Sequence, residues 1–451
     1  MERGAWTPGT RLLTAGIVFM TTAVGFEGLA VPTVLPATLD ELGGLPLYGW
    51  AFSGFWLTSL IGIALAGREA DRRGPLLPFV GGSTLFAGGL VVAGLAPDMA
   101  WVVVGRAVQG LGAGAIAAIT YVLIARGYDS PAQPRMIAVV QSAWVVPGLL
   151  GPALAGYLAE EASWRWAFLG LAPLLPLAAL LTVPPIRRLG KAEGAAPGSV
   201  RTAFDAVQLA AGAGLLLSAG LVGNLVLATG FVAAGLALMI RPLRSLFPAG
   251  TMLARPGRGA AIALLGLISV AFFGAEAFVP LAVSSVRNAG TLAGGMALTA
   301  AAVTWAIGSW VQARLAHGRH RQLVVAVGIG LVALGIGFEA VVPLTSLAPV
   351  WLAAVGWAIG GMGMGMAYSM LTLASIESAP SGTEGAASAS VQLAEALGIA
   401  LGTGVTGSVV AIGAVDLGLA PAIALAEVAM LLVCGLGIAL VGRVPAARTD
   451  A

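Results

Sequence analysis

The sequence predicts an all-α, polytopic membrane protein with fourteen transmembrane helices, and three observations lead there. Only 10% of the 451 residues are charged while 58% are hydrophobic, against roughly 25% charged in a soluble domain. Apolar stretches of about 20 residues, the length that spans a bilayer, recur fourteen times. The Lys and Arg residues gather in alternate loops, the bias that orients membrane helices.

The first six stretches lie at 12–36, 48–67, 78–96, 101–125, 136–159 and 165–184. Arg3 and Arg11 precede the first one, but its apolar run is too long for a signal-peptide core, so it is read as an uncleaved first helix. A more polar segment with Arg187, Arg188, Lys191 and Arg201 follows. Two short spans come next, at 204–221 and 224–242, parted by the turn residues Gly223 and Asn224. Asp205, at the start of this pair, is read as a helix cap. Six more run at 259–283, 292–315, 322–341, 348–374, 383–411 and 419–443. The resulting organisation is a six-helix region over 1–186, a linker with two extra helices over 187–258, and a second six-helix region with a short tail over 259–451.

Charge tests the weakest part of this division, the short pair. With a cytoplasmic N-terminus and fourteen spans, all of the 23 Lys and Arg except Arg106, Arg165 and Arg287 fall on the cytoplasmic side. Merging 204–242 into one span would send Arg241, Arg244, Arg255, Arg258, Arg314, Arg319, Arg321, Arg443 and Arg448 outward, so two spans are preferred. The net charge of +3 is therefore a matter of topology and not the footprint of a nucleic-acid partner. The 65 glycines suit close helix–helix contacts, and the 25 prolines predict several broken or kinked spans. Cys434 is the single cysteine, which excludes an intrachain disulfide and leaves it as a small apolar packing residue.

A repeat links the two six-helix regions. The first span contains GFEGLAVP and the ninth GAEAFVP, so Glu27 and Glu276 each precede a proline, Pro32 and Pro280, by five and four residues. Matched features in two halves mark the repeat interface at which transporters bind their cargo. Ionisable groups at that depth are costly and are functional candidates by default. In the fourth span, Arg106 lies roughly 7–8 Å in from the outer end at 1.5 Å per residue. That matches the level of Glu27, about 23 Å from the inner end of a core about 30 Å thick. A carboxylate held between a counter-charge, which favours the ionised form, and an apolar setting, which favours the neutral one, can take up and release a proton.

Further strings carry a family resemblance. GREADRRGP after the second span resembles the loop signature of the major facilitator superfamily through Gly67, Asp71, Arg72 and Gly74, although Pro75, Leu76 and Leu77 stand where further basic residues belong. GRAVQGLGAG in the fourth span is similar to the family's arginine motif through Arg106, Gln109, Gly110 and Gly112. PGLLGPALAG in the fifth resembles the Gly-Pro motif of the family's antiporters through Gly151, Pro152 and Gly156, with Gly148 one turn earlier and Pro147 and Ala155 in place of glycines. WRWAFL before the sixth span and LAEALGIALG in the thirteenth resemble the fourteen-span drug:proton antiporters. The second-half counterpart of the loop signature, ARLAHGRHR, keeps basic residues but lacks the aspartate.

The resemblance implies two pseudo-symmetric six-helix bundles of the major facilitator type with two extra helices between them. It also implies proton-coupled export of amphipathic small molecules by alternating access across the cell membrane. In that reading Glu27 carries the proton, Arg106 and Gln109 tune it, and Glu276 and Glu395 assist coupling or bind a cationic substrate. Asp71 latches two helices at the cytoplasmic face, and both termini are cytoplasmic. Trp56, Trp144, Met362 and Met366 are further candidates to line the cavity. Glu339 and Glu427 lie nearer span ends or on peripheral helices and are not expected to face it. No cofactor is expected, with the proton gradient as the energy source; the partners are a small amphipathic substrate, protons and the lipid bilayer, and the protein is expected to be a monomer.

Other classes leave weaker traces. An enzyme should gather His, Asp or Ser at one membrane face, and no such cluster is present. GLGAG at 110–114 lacks the preceding strand that a phosphate loop requires, and His317 and His320 are too few for a metal site. A proton symporter for a nutrient, a lipid-handling transporter of the same fold and a non-transporting receptor remain alternatives.

Overall fold

The structure, a computed structural model, describes residues 10–129, 131–189, 200–315, 320–380 and 384–445. Fourteen helices among these residues are long and apolar enough to cross a membrane. The first six are α1 (Arg11–Leu42), α2 (Leu45–Arg73), α3 (Leu76–Gly94), α4 (Met99–Gly127), α5 (Arg135–Glu161) and α6 (Trp166–Leu189). The short pair is α7 (Arg201–Leu221) and α8 (Leu225–Leu246). The last six are α9 (Arg258–Val286), α10 (Thr291–Leu315), α11 (Arg321–Leu344), α12 (Trp351–Glu377), α13 (Ala387–Leu417) and α14 (Leu419–Arg443). No strand occurs among the described residues.

Helix starts follow local chemistry. Asp98 caps α4 by accepting from the Trp101 amide at 3.1 Å, and Asn224 caps α8 by accepting from the amides of Val226 and Leu227. Each side chain satisfies amides that a helix leaves without an internal partner. Asp205 does not play this part: α7 begins at least one turn earlier, and Asp205 is buried within it.

Proline accounts for three interruptions. A proline has no N–H for the carbonyl four residues before it, and its ring crowds that carbonyl. The helix in α5 breaks at Ala143–Trp144, four and three residues before Pro147. That of α6 ends its first turn at Leu169, four before Pro173. In α9 the α-helix stops at Glu276, four before Pro280, and the chain continues through Val279–Leu281 into a π-turn at Ala282–Val286. α1 instead stays helical through Pro32 and Pro36. The two repeat carboxylates therefore differ, with Glu27 inside a continuous helix and Glu276 at a helix end within its span.

By internal contacts the described residues form two compact units, one drawn from 1–44 with 54–210 and the other from 45–53 with 211–451. In the first unit, α3 and α4 cross on small residues. A Cβ added to Gly89 would meet the Gly105 carbonyl oxygen and the Gln109 amide nitrogen at 2.6 Å each. Such a contact cannot be accommodated without moving backbone. Gly89→Leu is therefore expected to push α3 off α4, at a cost of roughly 1–3 kcal/mol for overpacking. A thermal melt in detergent should show the loss, whereas Gly88→Leu, at a position with open space, should melt like the parent.

In the second unit, residues 45–53 of α2 pack within it: the Tyr48 hydroxyl donates to the Ala277 carbonyl at 3.1 Å and Ser53 Oγ to that of Ala400 at 2.9 Å. α11 meets α12 through Gly328, Gly335 and Gly363, each placed against backbone of its neighbour. Without water to drive association, such close backbone contact is what holds membrane helices together.

Candidate functional site

Among its described residues the first unit contains one buried charge pair inside its apolar interior. Glu27 on α1 is 0% exposed and Arg106, on α4, is 2% exposed. The Arg106 guanidinium donates to Glu27 Oε1 and, at 2.7 Å, to Gln109 Oε1. Arg106 and Gln109 reach the same spot because residues three apart on a helix are neighbours. The guanidinium also lies 4.1 Å from the centroid of the Phe55 ring on α2, a cation–π contact in a desolvated site. The cluster is neutral while Glu27 is ionised, and removing either charge leaves the other buried alone. Glu27 Oε2 and Gln109 Nε2 have no hydrogen-bond partner among the described residues. Glu27 thus retains a buried acceptor oxygen beyond the one that Arg106 holds.

The small-residue face of α5 covers this segment of α1. Pro147, Gly148, Gly151, Pro152, Ala155 and Gly156 are all buried. A Cβ on Gly151 would touch the Phe26 carbonyl oxygen at 3.7 Å and Leu29 Cβ at 3.8 Å, on either side of Glu27 in the sequence. The Trp144 ring and Pro147 lie against Gly25, where an added Cβ would meet them at 3.0 and 3.3 Å. Trp144 is otherwise exposed. Trp56 is half-buried and packs edge-on against Phe55 at 5.4 Å.

In the second unit, Glu276 and Glu395 are joined through an aromatic wall. Glu276 Oε2 accepts from Trp357 Nε1 at 3.3 Å, and Glu395 Oε2 is hydrogen-bonded to the Tyr368 hydroxyl at 2.7 Å. Between these anchors Trp357 stacks on Phe272 at 4.7 Å, Phe272 meets Trp305 edge-on at 5.6 Å, and Trp305 meets Tyr368 at 5.7 Å. Glu276, Glu395, Trp305 and Tyr368 are each partly exposed. Two carboxyl groups flanked by ring faces can hold an organic cation through charge and cation–π attraction together.

The loop signature after α2 is a helix end. Gly74 adopts φ +90°, a left-handed conformation that glycine reaches without strain, and its amide closes onto the Ala70 carbonyl at 3.0 Å. Asp71 pairs with Arg126 at the end of α4, at 3.5 Å, while Arg72 and Arg73 both pair with Glu69. Gly67 faces open space. In the second half, residues 316–319 of the matching loop lie outside the described residues; Arg321 pairs with Glu377 at 2.6 Å.

The structure thus gathers Glu27, Arg106 and Gln109 in one place and Glu276 and Glu395 around one aromatic wall. It does not bring Met362 and Met366 to that wall. On α12, Gly361 and Gly365 face α10 while Gly356 and Gly363 face α11. Helical periodicity then puts Met362 and Met366 nearly opposite Trp357 and Tyr368, and Met366 borders an apolar cavity with Leu315, His320 and Leu323 instead. Phe272, Trp305, Trp357 and Tyr368 escape the sequence reading. Phe272 alone carried a signal, standing one helical turn before Glu276.

Comparison with known proteins adds to this geometry. The family model described as Major Facilitator Superfamily matches residues 13–403. A probable multidrug-efflux transporter of Mycobacterium tuberculosis is 28% identical over 437 residues, covering 91% of this chain and 90% of the relative. The multidrug transporter protein MdtP of Bacillus subtilis is 23% identical over 411 residues, covering 88% and 75%. Among solved structures, a POT peptide transporter in complex with alafosfalin aligns with a TM-score of 0.68 at 15% identity over 96% of this chain and 94% of that one. The human organic anion transporter MFSD10 aligns at 0.61 and 16% identity, over 96% and 100%. At these identities the solved structures speak for the fold alone.

Proposed function

The chain belongs to the Major Facilitator Superfamily, a transporter and not an enzyme, and we propose that it exports cationic, amphipathic drug-like molecules in exchange for protons. The observation that carries this reading is the neutral, buried Glu27–Arg106–Gln109 cluster, in which one carboxylate oxygen is left to accept a proton. Proton uptake at Glu27 cancels its charge and loosens the hold of Arg106; release restores the pair. Alternation between these two states, as water access changes, supplies the bistable element that coupling needs. The Gly-Pro face of α5, packed on the same turn of α1, would transmit the change to helix packing.

Substrate would meet Glu276, Glu395 and the ring faces of Trp305 and Tyr368, the partly exposed members of the wall, with the buried Trp357 holding Glu276 from behind. Two carboxylates favour a positive charge and the aromatic wall favours an apolar body, so cationic amphiphiles fit both. The names of the mycobacterial and Bacillus relatives agree with drug export. The protein would work in the cell membrane as a monomer with both termini cytoplasmic, drawing on the proton gradient without a cofactor.

A compound panel tests this. Inverted vesicles containing the protein should accumulate lipophilic cations when the lumen is acid, and accumulation should collapse when the gradient is dissipated. Accumulation that ignores the gradient, or that favours anions, contradicts the reading.

A further inference from the structure

A second pair of carboxyl groups lies in the second unit, away from the aromatic wall. Glu339 on α11 and Glu427 on α14 are each 1% exposed. The two helices run antiparallel, and their register is set by two contacts. Gln322 Nε2, at the start of α11, donates to the Val444 carbonyl just beyond α14 at 2.9 Å. Seven residues on, Ile329 meets Gly437, where an added Cβ would lie 3.5 Å from Ile329 Cδ1. In an antiparallel pair one residue number rises as the other falls. The same register carried ten residues further sets Glu339 opposite Glu427.

Neither oxygen of Glu339 has a hydrogen-bond partner among the described residues, nor does Glu427 Oε2. The surroundings are apolar: Gly356 of α12 lies against Glu339, where a Cβ would sit 3.4 Å from Oε1. Val283, Val342 and Ala353 form a buried cluster at the same end of the helices. The charged and titratable groups of the neighbouring elements are occupied or distant. Arg287 spends its guanidinium on the carbonyls of Val342, Thr345 and Ala348. On the same two helices, Arg321 is held by Glu377 and Arg443 by the carbonyls of Leu253 and Ala254, each roughly 24–27 Å along its helix from the pair at 1.5 Å per residue. On α9, Glu276 is bonded to Trp357 and Arg258 lies at the opposite end; on α13, Glu395 is bonded to Tyr368. On α14 itself, Cys434 is two turns from Glu427 and buried.

Two adjacent carboxylates in such a place repel each other and lack both cation and donor. A proton cures both faults at once, since a carboxylic acid on one side chain donates to an oxygen of the other. A metal ion would need more oxygen ligands than the pair offers, because the helix carbonyls around it are engaged in the backbone ladder. We propose that Glu339 and Glu427 form a second proton-binding site, separate from Glu27, in which proton held between the two carboxyl groups fastens α11 to α14. This does not depend on the direction of transport or on the substrate.

Infrared spectroscopy of the purified full-length protein, with a thermal melt across pH, tests the site. At neutral pH the parent should show a protonated-carboxyl C=O component that is missing from Glu339→Gln/Glu427→Gln and present in Glu27→Gln. The folded pair holds proton that the unfolded chain gives up, so stability should fall as pH rises. From neutral to alkaline pH the parent Tm should drop by several degrees more than that of the double variant. The single Glu427→Gln, whose amide supplies a donor to Glu339, should weaken the band without abolishing it and serves where the double variant does not fold. An unchanged band, equal pH slopes, or recovery of the alkaline Tm by sodium but not choline would each overturn the proposal, the last by making the occupant a metal cation.

Discussion

Replacing Glu27 by Gln is expected to abolish proton-driven efflux, lowering the flux by about 100-fold, equivalent to about 2.7 kcal/mol. The amide keeps the size of the side chain and can still accept from Arg106, so the cluster keeps its shape. It cannot take up and release a proton at neutral pH. Substrate exchange without a gradient should therefore survive, because that reaction requires no net proton movement. Vesicle flux with and without a pH gradient separates the two. Coupled flux at the parent rate would remove Glu27 from its assigned part.

Arg106→Leu should act on stability before it acts on transport. It leaves the Glu27 carboxylate, 0% exposed, with neither counter-charge nor donor. Breaking a buried pair in this way costs about 3–5 kcal/mol. Gln109 would lose its donor as well, and the Phe55 ring its cation. Removing the opposing charge should recover much of the loss, so Glu27→Gln/Arg106→Leu should be more stable than Arg106→Leu alone. A double-mutant cycle on detergent melting curves reads this coupling. A single variant as stable as the parent would show that the two side chains are not energetically paired.

The number and order of the spans were legible because bilayer thickness fixes the length of an apolar helix. The pairing of Glu27 with Arg106 was legible too, since depth can be counted along each helix from its end. Gln109 followed from its spacing of three. The stacking of Arg106 on Phe55 was not, because it depends on a rotamer on a third helix. The methionines of α12 show the same limit: periodicity places Met362 and Met366 on one face, but only Gly361, Gly365 and Gly363, packed on their neighbours, decide where that face points. Glu339 and Glu427 were set aside as peripheral because each was read against its own helix. Their opposition is a property of the antiparallel register between α11 and α14, which no single segment carries. The break after Glu276 was announced by Pro280, yet the equivalent Pro32 leaves α1 unbroken, so a shared motif did not mean a shared backbone.

The central claim, that Glu27 carries the exchanged proton, is met most directly by proton release in weakly buffered detergent solution. Adding a transported lipophilic cation to the parent protein should release protons in proportion to the substrate bound. Glu27→Gln should bind the same cation and release none from this site. Equal release from both proteins would contradict the account.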